Sequence, residues 1–221
     1  MSLRICSINI QGLTQNAAFL EQLVEDFDII CIQEHWLWSY ETAEIRTRFP
    51  NMGIFPRSMD DNSMLLEHTH RVSAHGGIAT MWNEKVSAMM KPMEEEAKGN
   101  CRLQVTKVDT QEAPICLINA YLASGTSKEA ISSFSEDIDA LHELLEKFSN
   151  THEVVIVGDL NVDHHNRSNK KENLMVEFIQ EHCLKDLGKQ DKKFTYRAYK
   201  PPSEAPVKDR PYPSEELQDS F

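Results

Sequence analysis

The stretch that most constrains how this chain can fold is residues 153–161, E-V-V-I-V-G-D-L-N. Residues 154–157 are a continuous β-branched run, the pattern of a strand buried on both faces. Gly158 breaks the run, and Asp159 and Asn161 follow it. A strand ending in Gly-Asp-x-Asn delivers a carboxylate and a carboxamide to the mouth of a sheet, where layered α/β proteins bind their ligands. The two-residue repeat of an extended chain puts Asp159 and Asn161 on one side and Leu160 on the other. A carboxylate can hold a hard cation or orient a water, and a carboxamide can grip a phosphate oxygen without adding negative charge. The same residues also suit an Asx-rich turn that closes a core strand. The rest of the chain decides between the two.

Residues 3–10 read as a strand with Asn9 near its end. Thr14 serves as the N-cap of a helix over 15–27, whose stripe is Phe19, Leu20, Leu23, Val24 and Phe27. Residues 28–33 form a second buried-type strand, with Glu34 at its end. Strand, amphipathic helix, strand is a βαβ-like opening in which the two strands pair in parallel. A short helix follows at 41–49, limited by Pro50, and residues 56–74 read as a surface loop. His75-Gly76-Gly77 leads into a strand at 78–82. Strands at 102–108 and 115–121 make a hairpin turning at 109–114. The longest helical pattern spans 128–148, and a further helix at 171–182 precedes a short strand at 194–199. Five of the nine prolines fall in the last 21 residues, without apolar periodicity. The chain therefore divides into a folded domain, 1–200, and a proline-rich disordered tail, 201–221.

Charge and cysteine usage narrow the function classes. The net charge of −12 opposes broad electrostatic attraction to nucleic acid, although a local basic patch or a bound divalent cation can reverse the sign at a site. No apolar run approaches bilayer length, and the start lacks a signal peptide's apolar core, so no membrane association is expected. Five cysteines is an odd number. Cys6, Cys31 and Cys116 lie inside apolar runs, and no Cys-x-x-Cys occurs. Reduced thiols in an intracellular protein of the cytoplasm or nucleus are expected, and no obligate protein partner is evident.

Apolar strands thus end in Asn9, Glu34, Tyr121, Asp159 and Asn161, and these ends can converge on one rim. The motifs S-I-N-I-Q-G at 7–12, C-I-Q-E-H-W at 31–36, H-G-G-I-A at 75–79, N-A-Y at 119–121 and V-G-D-L-N at 157–161 resemble the endonuclease/exonuclease/phosphatase superfamily. Within it, the chain looks most like the apurinic-type endonuclease domain of non-LTR retrotransposons. The resemblance implies an α/β (α+β) fold, a four-layered α-β-β-α sandwich of two packed sheets flanked by helices. It also implies Mg²⁺- or Mn²⁺-dependent phosphodiester cleavage with DNA as partner. By motif, Glu34 is the principal metal ligand and Asn9 supports metal or phosphate. Asp159 orients or deprotonates the attacking water, Asn161 holds the scissile phosphate, and Tyr121 contacts a phosphate oxygen. His75 and Asn119 carry weaker claims to substrate.

The departures matter as much. The resemblance implies a closing Ser-Asp-His, whose imidazole stabilises the transition state and whose carboxylate orients the ring. No Ser-Asp-His occurs here, and residues 194–199 resemble the strand just before it. The expectation is a C-terminally truncated domain lacking the last strands, with low or no turnover. His164 and His165 read as solvated loop residues, His68-x-His70 is too little for a zinc site, and the proline often found after the Tyr of N-A-Y is absent. A phosphatase or phospholipase of the same superfamily, or a non-catalytic remnant, remain the alternatives.

Overall fold

Two strand–helix–strand units set the architecture. The structure, a computed structural model, describes residues 2–60, 75–163 and 167–187. In the first unit, β1 (Ile5–Asn9) and β2 (Ile29–Gln33) pair in parallel and are joined by α1 (Leu13–Asp26). A short α2 (Ala43–Arg48) leads to β3 (Met52–Arg57) and β4 (Ile78–Asn83), and antiparallel pairing completes a sheet of order β1-β2-β4-β3. The second sheet, β5-β6-β7-β8, combines β5 (Met90–Pro92), β6 (Leu103–Val108), β7 (Ile115–Tyr121) and β8 (Glu153–Asp159). Its strands β6 and β7 form the antiparallel hairpin, and α3 (Lys128–Phe148) links the parallel pair β7 and β8. Helix α4 (Lys170–Glu181) follows. This is the expected α-β-β-α sandwich.

Period two in the strands produces the layers. On β2, Ile30 and Ile32 face α1 and join Leu13, Leu20 and Leu23, while Ile29 and Cys31 face inward with Phe55, Trp82, Val108 and Leu117. On the other side, α3 buries Phe134, Ile138, Leu141, Leu144, Leu145 and Phe148. The thiols of Cys31 and Cys116 are buried, and desolvation pushes both up to about 12.

Three expectations need correction. Thr14 lies inside α1, and the N-cap is Gly12, which makes no side-chain cap. The helix start is capped by backbone instead, because the amides of Gly12 and Leu13 donate to the carbonyls of Glu34 and His35 at 2.8 and 3.1 Å. Residues 56 and 57, read as loop, belong to β3. Pro56 sits there without conflict because, among the described residues, β3 is an edge strand, where a missing N–H is tolerated. Finally, β8 is half-buried rather than buried on both faces, since among the described residues it pairs only with β7. His68, His70, His164, His165, the strand expected at 194–199 and the tail at 201–221 lie outside the described residues.

The two sheets also share a polar layer. Gln33 Nε2 donates to Asn119 Oδ1 at 2.8 Å, and Asn119 Nδ2 donates to the carbonyls of Ile32 and Ala79 at 3.3 and 3.1 Å. Beside it, Thr80 Oγ1 donates to Gln104 Oε1 at 2.7 Å, and Gln104 Nε2 donates to the Phe55 carbonyl at 2.8 Å. All four side chains are buried. The layer joins β2, β3 and β4 to β6 and β7, so it fixes how one sheet sits on the other. We expect Asn119→Leu to lower unfolding stability by about 2–4 kcal/mol in urea denaturation, because it takes the Asn119 amide from two buried carbonyls and the shortest acceptor from Gln33. A loss under about 0.5 kcal/mol would show that the layer does not hold the sheets.

Candidate active site

Both parallel strand pairs end on the same rim. The register sets Asn9 opposite Gln33, one residue before Glu34, and sets Tyr121 opposite Asp159. Asn9 and Glu34 come from the first sheet, Tyr121 and Asp159 from the second. They meet at one atom: Asn9 Nδ2 donates to Glu34 Oε1 at 2.7 Å and to Asp159 Oδ2 at 2.9 Å. Glu34 also accepts from Trp36 Nε1 at 3.0 Å and from the Tyr121 hydroxyl. Burial, followed by the negative charge of Glu34, pushes the Tyr121 phenol well above its usual range, so it acts as a donor.

The turns that aim these groups are strained. Gln11, Glu34, Trp36 and Asn161 all have positive φ, of 46°, 58°, 57° and 51°. Non-glycine residues rarely hold that conformation unless their surroundings over-determine it. At Glu34 and Trp36 the restraint comes from the His75-Gly76-Gly77 motif. The amides of His35 and Trp36 donate to the Gly77 and Gly76 carbonyls at 3.3 and 2.9 Å. Gly77, at φ 80°, leaves room for the His35 ring, which an added Cβ would approach to 2.3 Å. His35 itself is fully buried: its Nδ1 accepts from the Leu37 amide and its Nε2 lies 3.1 Å from the Arg57 carbonyl. Burial lowers its pKa to about 4, so the ring is neutral and Nε2 carries the proton.

At the second sheet, Asp159 Oδ1 accepts from the Asn161 amide at 3.1 Å. That is the Asx turn of the alternative reading, and it is also what presents the Asp159 carboxylate to the rim. Asn161 Nδ2 donates to the Leu122 carbonyl at 2.8 Å, which leaves a second amide hydrogen. Lys171 braces this turn from α4, since its buried ammonium donates to the carbonyls of Ala123 and Asn161 at 2.6 and 3.1 Å. Gly158 has φ 138°, and a Cβ there would lie 1.8 Å from the Ala120 carbonyl oxygen. Only glycine fits that close approach. Beside Tyr121, a cavity of about 280 Å³ is lined by Met59, His75, Arg102, Ser124 and Ser133 among others. Arg102 forms an ion pair at 2.9 Å with Asp137, which is itself fully buried.

The rim therefore gathers Asn9, Glu34, Tyr121, Asp159 and Asn161. His75 is nearby and exposed, packing edge-on against Trp36 with centroids 5.1 Å apart. Asn119 is set apart, with its carboxamide engaged in the polar layer. Two contributors were not singled out from sequence. Trp36 was visible inside C-I-Q-E-H-W, but Lys171 carried no signal, because its partners are carbonyls distant in sequence. The oxygen set suits a hard divalent cation: two carboxylates converge on a single neutral amide that cannot offset their charge. Asn9 turns its nitrogen toward them, so it orients the two carboxylates.

The model of a family described as "Endonuclease/Exonuclease/phosphatase family" matches residues 6–173. No curated protein matches the chain. Among solved structures, it is similar to an AP endonuclease from Archaeoglobus fulgidus (15% identity, 81% of this chain and 71% of that one, TM-score 0.57). It is also similar to a 3′ phosphatase from Neisseria bound to a product DNA hairpin (14%, 82% and 71%, TM-score 0.57). A third is the endonuclease domain of a telomere-specific non-LTR retrotransposon (13%, 82% and 71%, TM-score 0.53). At such identities the likeness is one of fold.

The neutral His35 makes stability depend on pH. Its pKa is about 4 in the folded chain against an ordinary 6.5, so the unfolded state binds more protons between those values. We expect stability present above pH 6.5 to be lost as pH falls toward 4, by an amount on the order of 3 kcal/mol. Urea midpoints of wild type and His35→Gln at pH 7 and pH 4.5 test this. The variant should lose less stability over that span than wild type, and equal losses would exclude His35 as the cause.

Proposed function

The chain belongs to the endonuclease/exonuclease/phosphatase family, and from that premise we propose that it is a divalent-metal-dependent phosphodiester hydrolase, an endonuclease of retrotransposon type acting on DNA. The observation that carries this reading is the Asn9 amide joining Glu34 of one sheet to Asp159 of the other. It holds two carboxylates within one side chain of each other at the rim, which supports reading Glu34 as the metal ligand and Asp159 as the group that orients the water.

In this mechanism Glu34 would hold Mg²⁺ or Mn²⁺, which when bound would neutralise charge building on the scissile phosphate. Asn9 keeps both carboxylates in place. Asp159 accepts a proton from the attacking water, or orients it, with its second oxygen anchored by the Asn161 amide. Asn161 offers its remaining amide hydrogen to a phosphate oxygen. Tyr121 is kept protonated by burial and by Glu34; its single O–H, which donates to Glu34 in the free chain, would turn to a phosphate oxygen when substrate enters. Preorganised donors of this kind contribute most when they need not move during the reaction, and the braced turns at 34–36 and 158–161 supply that rigidity. His75 and Trp36 form a wall beside the phosphate path. The 221 residues contain no Ser-Asp-His, so the imidazole that this motif would supply is not among the groups of this mechanism. The buried thiols suit a reducing, intracellular setting.

Two measurements test the reading. Manganese titration should show weaker binding by Glu34→Gln than by wild type, by about tenfold or more, because a ligand oxygen is lost; equal affinity would remove Glu34 as a ligand. Plasmid nicking by the full chain should require Mg²⁺, stop with EDTA and disappear in Asp159→Ala. A folded, metal-binding chain that leaves the plasmid intact would favour the non-catalytic reading. Phosphate release from a 3′-phosphorylated oligonucleotide without nicking would favour a phosphatase.

A further inference from the structure

On the outer helical layer, away from the rim just described, His142 of α3 faces the end of α4. His142 Nδ1 and His182 Nε2 lie 2.7 Å apart, and a carboxylate oxygen of Glu181 lies within 4.8 Å of both. Both imidazoles are half-buried and Glu181 is exposed, so the group opens to solvent on one side only. The ring of the buried Phe178 packs against both: edge-on to His142 at 5.0 Å and tilted against His182 at 5.1 Å. It therefore forms a wall that limits how the two rings can turn.

We propose that His142, Glu181 and His182 form a second metal site, one that takes Zn²⁺ and pins α4 to α3. The chemistry of the donors selects the ion. Two imidazole nitrogens and one carboxylate are the ligand set of a borderline-soft, tetrahedral ion, with the solvent side leaving a fourth position for water. Mg²⁺ prefers an octahedral shell of oxygens and gains little from imidazole. In the hydrogen-bonded pair one of the two facing nitrogens carries the proton, and to ligate that ring shifts to the other tautomer, so two neutral imidazoles bind the ion with no net release of a proton. Two nitrogens on one tetrahedral zinc sit roughly 3.3 Å apart, so the rings need to part only slightly from their present 2.7 Å. The hydrogen bond between them satisfies a single N–H, whereas the ion engages both lone pairs together with the carboxylate. Because its ligands sit on two helices about 40 residues apart in sequence, the site forms only in the folded chain, and occupancy adds to folding stability.

The test uses the full chain in a Glu34→Gln, Cys183→Ser background. This removes the proposed rim ligand and the thiol next to His182, so the result does not depend on the reading of the active site. Calorimetric titration with Zn²⁺ should give one ion per chain, undisturbed by millimolar Mg²⁺ and weaker at pH 5 than at pH 7.5, because protons compete for imidazole. Zn²⁺ should also raise Tm. His142→Ala and His182→Ala should each weaken binding by about tenfold or more and abolish the Tm rise. Glu181→Gln, at an exposed position that leaves the fold intact, should weaken it as well. Unchanged affinity in all three variants, or no Zn²⁺ binding by the folded background chain, would overturn the site.

Discussion

The rim exists only if two separate sheets are held in a fixed relation, and the side chain that fixes it is Asn119. Hydrophobic contact between the sheets is strong but nearly non-directional: Ile29, Cys31, Trp82, Val108 and Leu117 could slide against one another at modest cost. Hydrogen bonds do not slide. Asn119 accepts from Gln33 of one sheet while donating to two carbonyls of the same sheet, and Gln104 with Thr80 repeats the device one strand away. Gln33 immediately precedes Glu34, and Asn119 precedes Tyr121 by two residues. The bonds that register the sheets are therefore within one or two residues of the groups whose spacing they determine. A buried polar layer with every partner in place specifies one arrangement where an apolar one would tolerate several.

A second constraint acts on direction. Strand alternation would set Glu34 on the α1 face with Ile30 and Ile32 if the chain continued as β, and the left-handed turn at 34–36 redirects it toward Asn9. That turn is costly for non-glycine residues, and it is held from three sides. Gly76 and Gly77 accept its amides, the carbonyls of Glu34 and His35 cap α1, and the buried His35 ring bonds Leu37 and lies against the Arg57 carbonyl. The Gly-Gly pair thus contributes to the site without touching it, through space that a side chain would occupy.

The sequence made the strand ends legible because β-branched runs and their terminal polar residues are local signals. Asn9, Glu34, Tyr121, Asp159 and Asn161 could all be named, and the parallel pairing of β1 with β2 followed from the intervening amphipathic helix. What was missed depended on distant partners. β3 was obscured by Gly53 and Pro56, which are tolerable only because the strand lies at an edge and Gly53 faces the Trp82 indole. The start of α1 was misplaced because its cap is the backbone of another strand's turn. Asn119 looked like a substrate residue because N-A-Y ends a strand, but strand alternation turns it inward, opposite Gln104. Lys171 could not be read at all, since three carbonyls scattered over two turns define its place.

The electrostatics of the rim give a reason for a metal that does not rest on motif. Two carboxylates share one amide nitrogen, in a chain of net charge −12. Among the described residues, the cations that border the rim are engaged elsewhere: Arg102 is paired with the buried Asp137, and Lys171 is bound to three carbonyls. Both are partly withdrawn from solvent, and moving either toward the carboxylates would leave Asp137 or the Asn161 turn without its partner, at a cost of several kcal/mol for a buried charge. Among the described residues, positive charge is therefore kept out of the rim while negative oxygens are held in it. On the function proposed above, such an arrangement would be unfavourable for a polyanionic phosphodiester unless a mobile cation entered with it or before it, and affinity for substrate and affinity for the ion would then be linked through the same two oxygens.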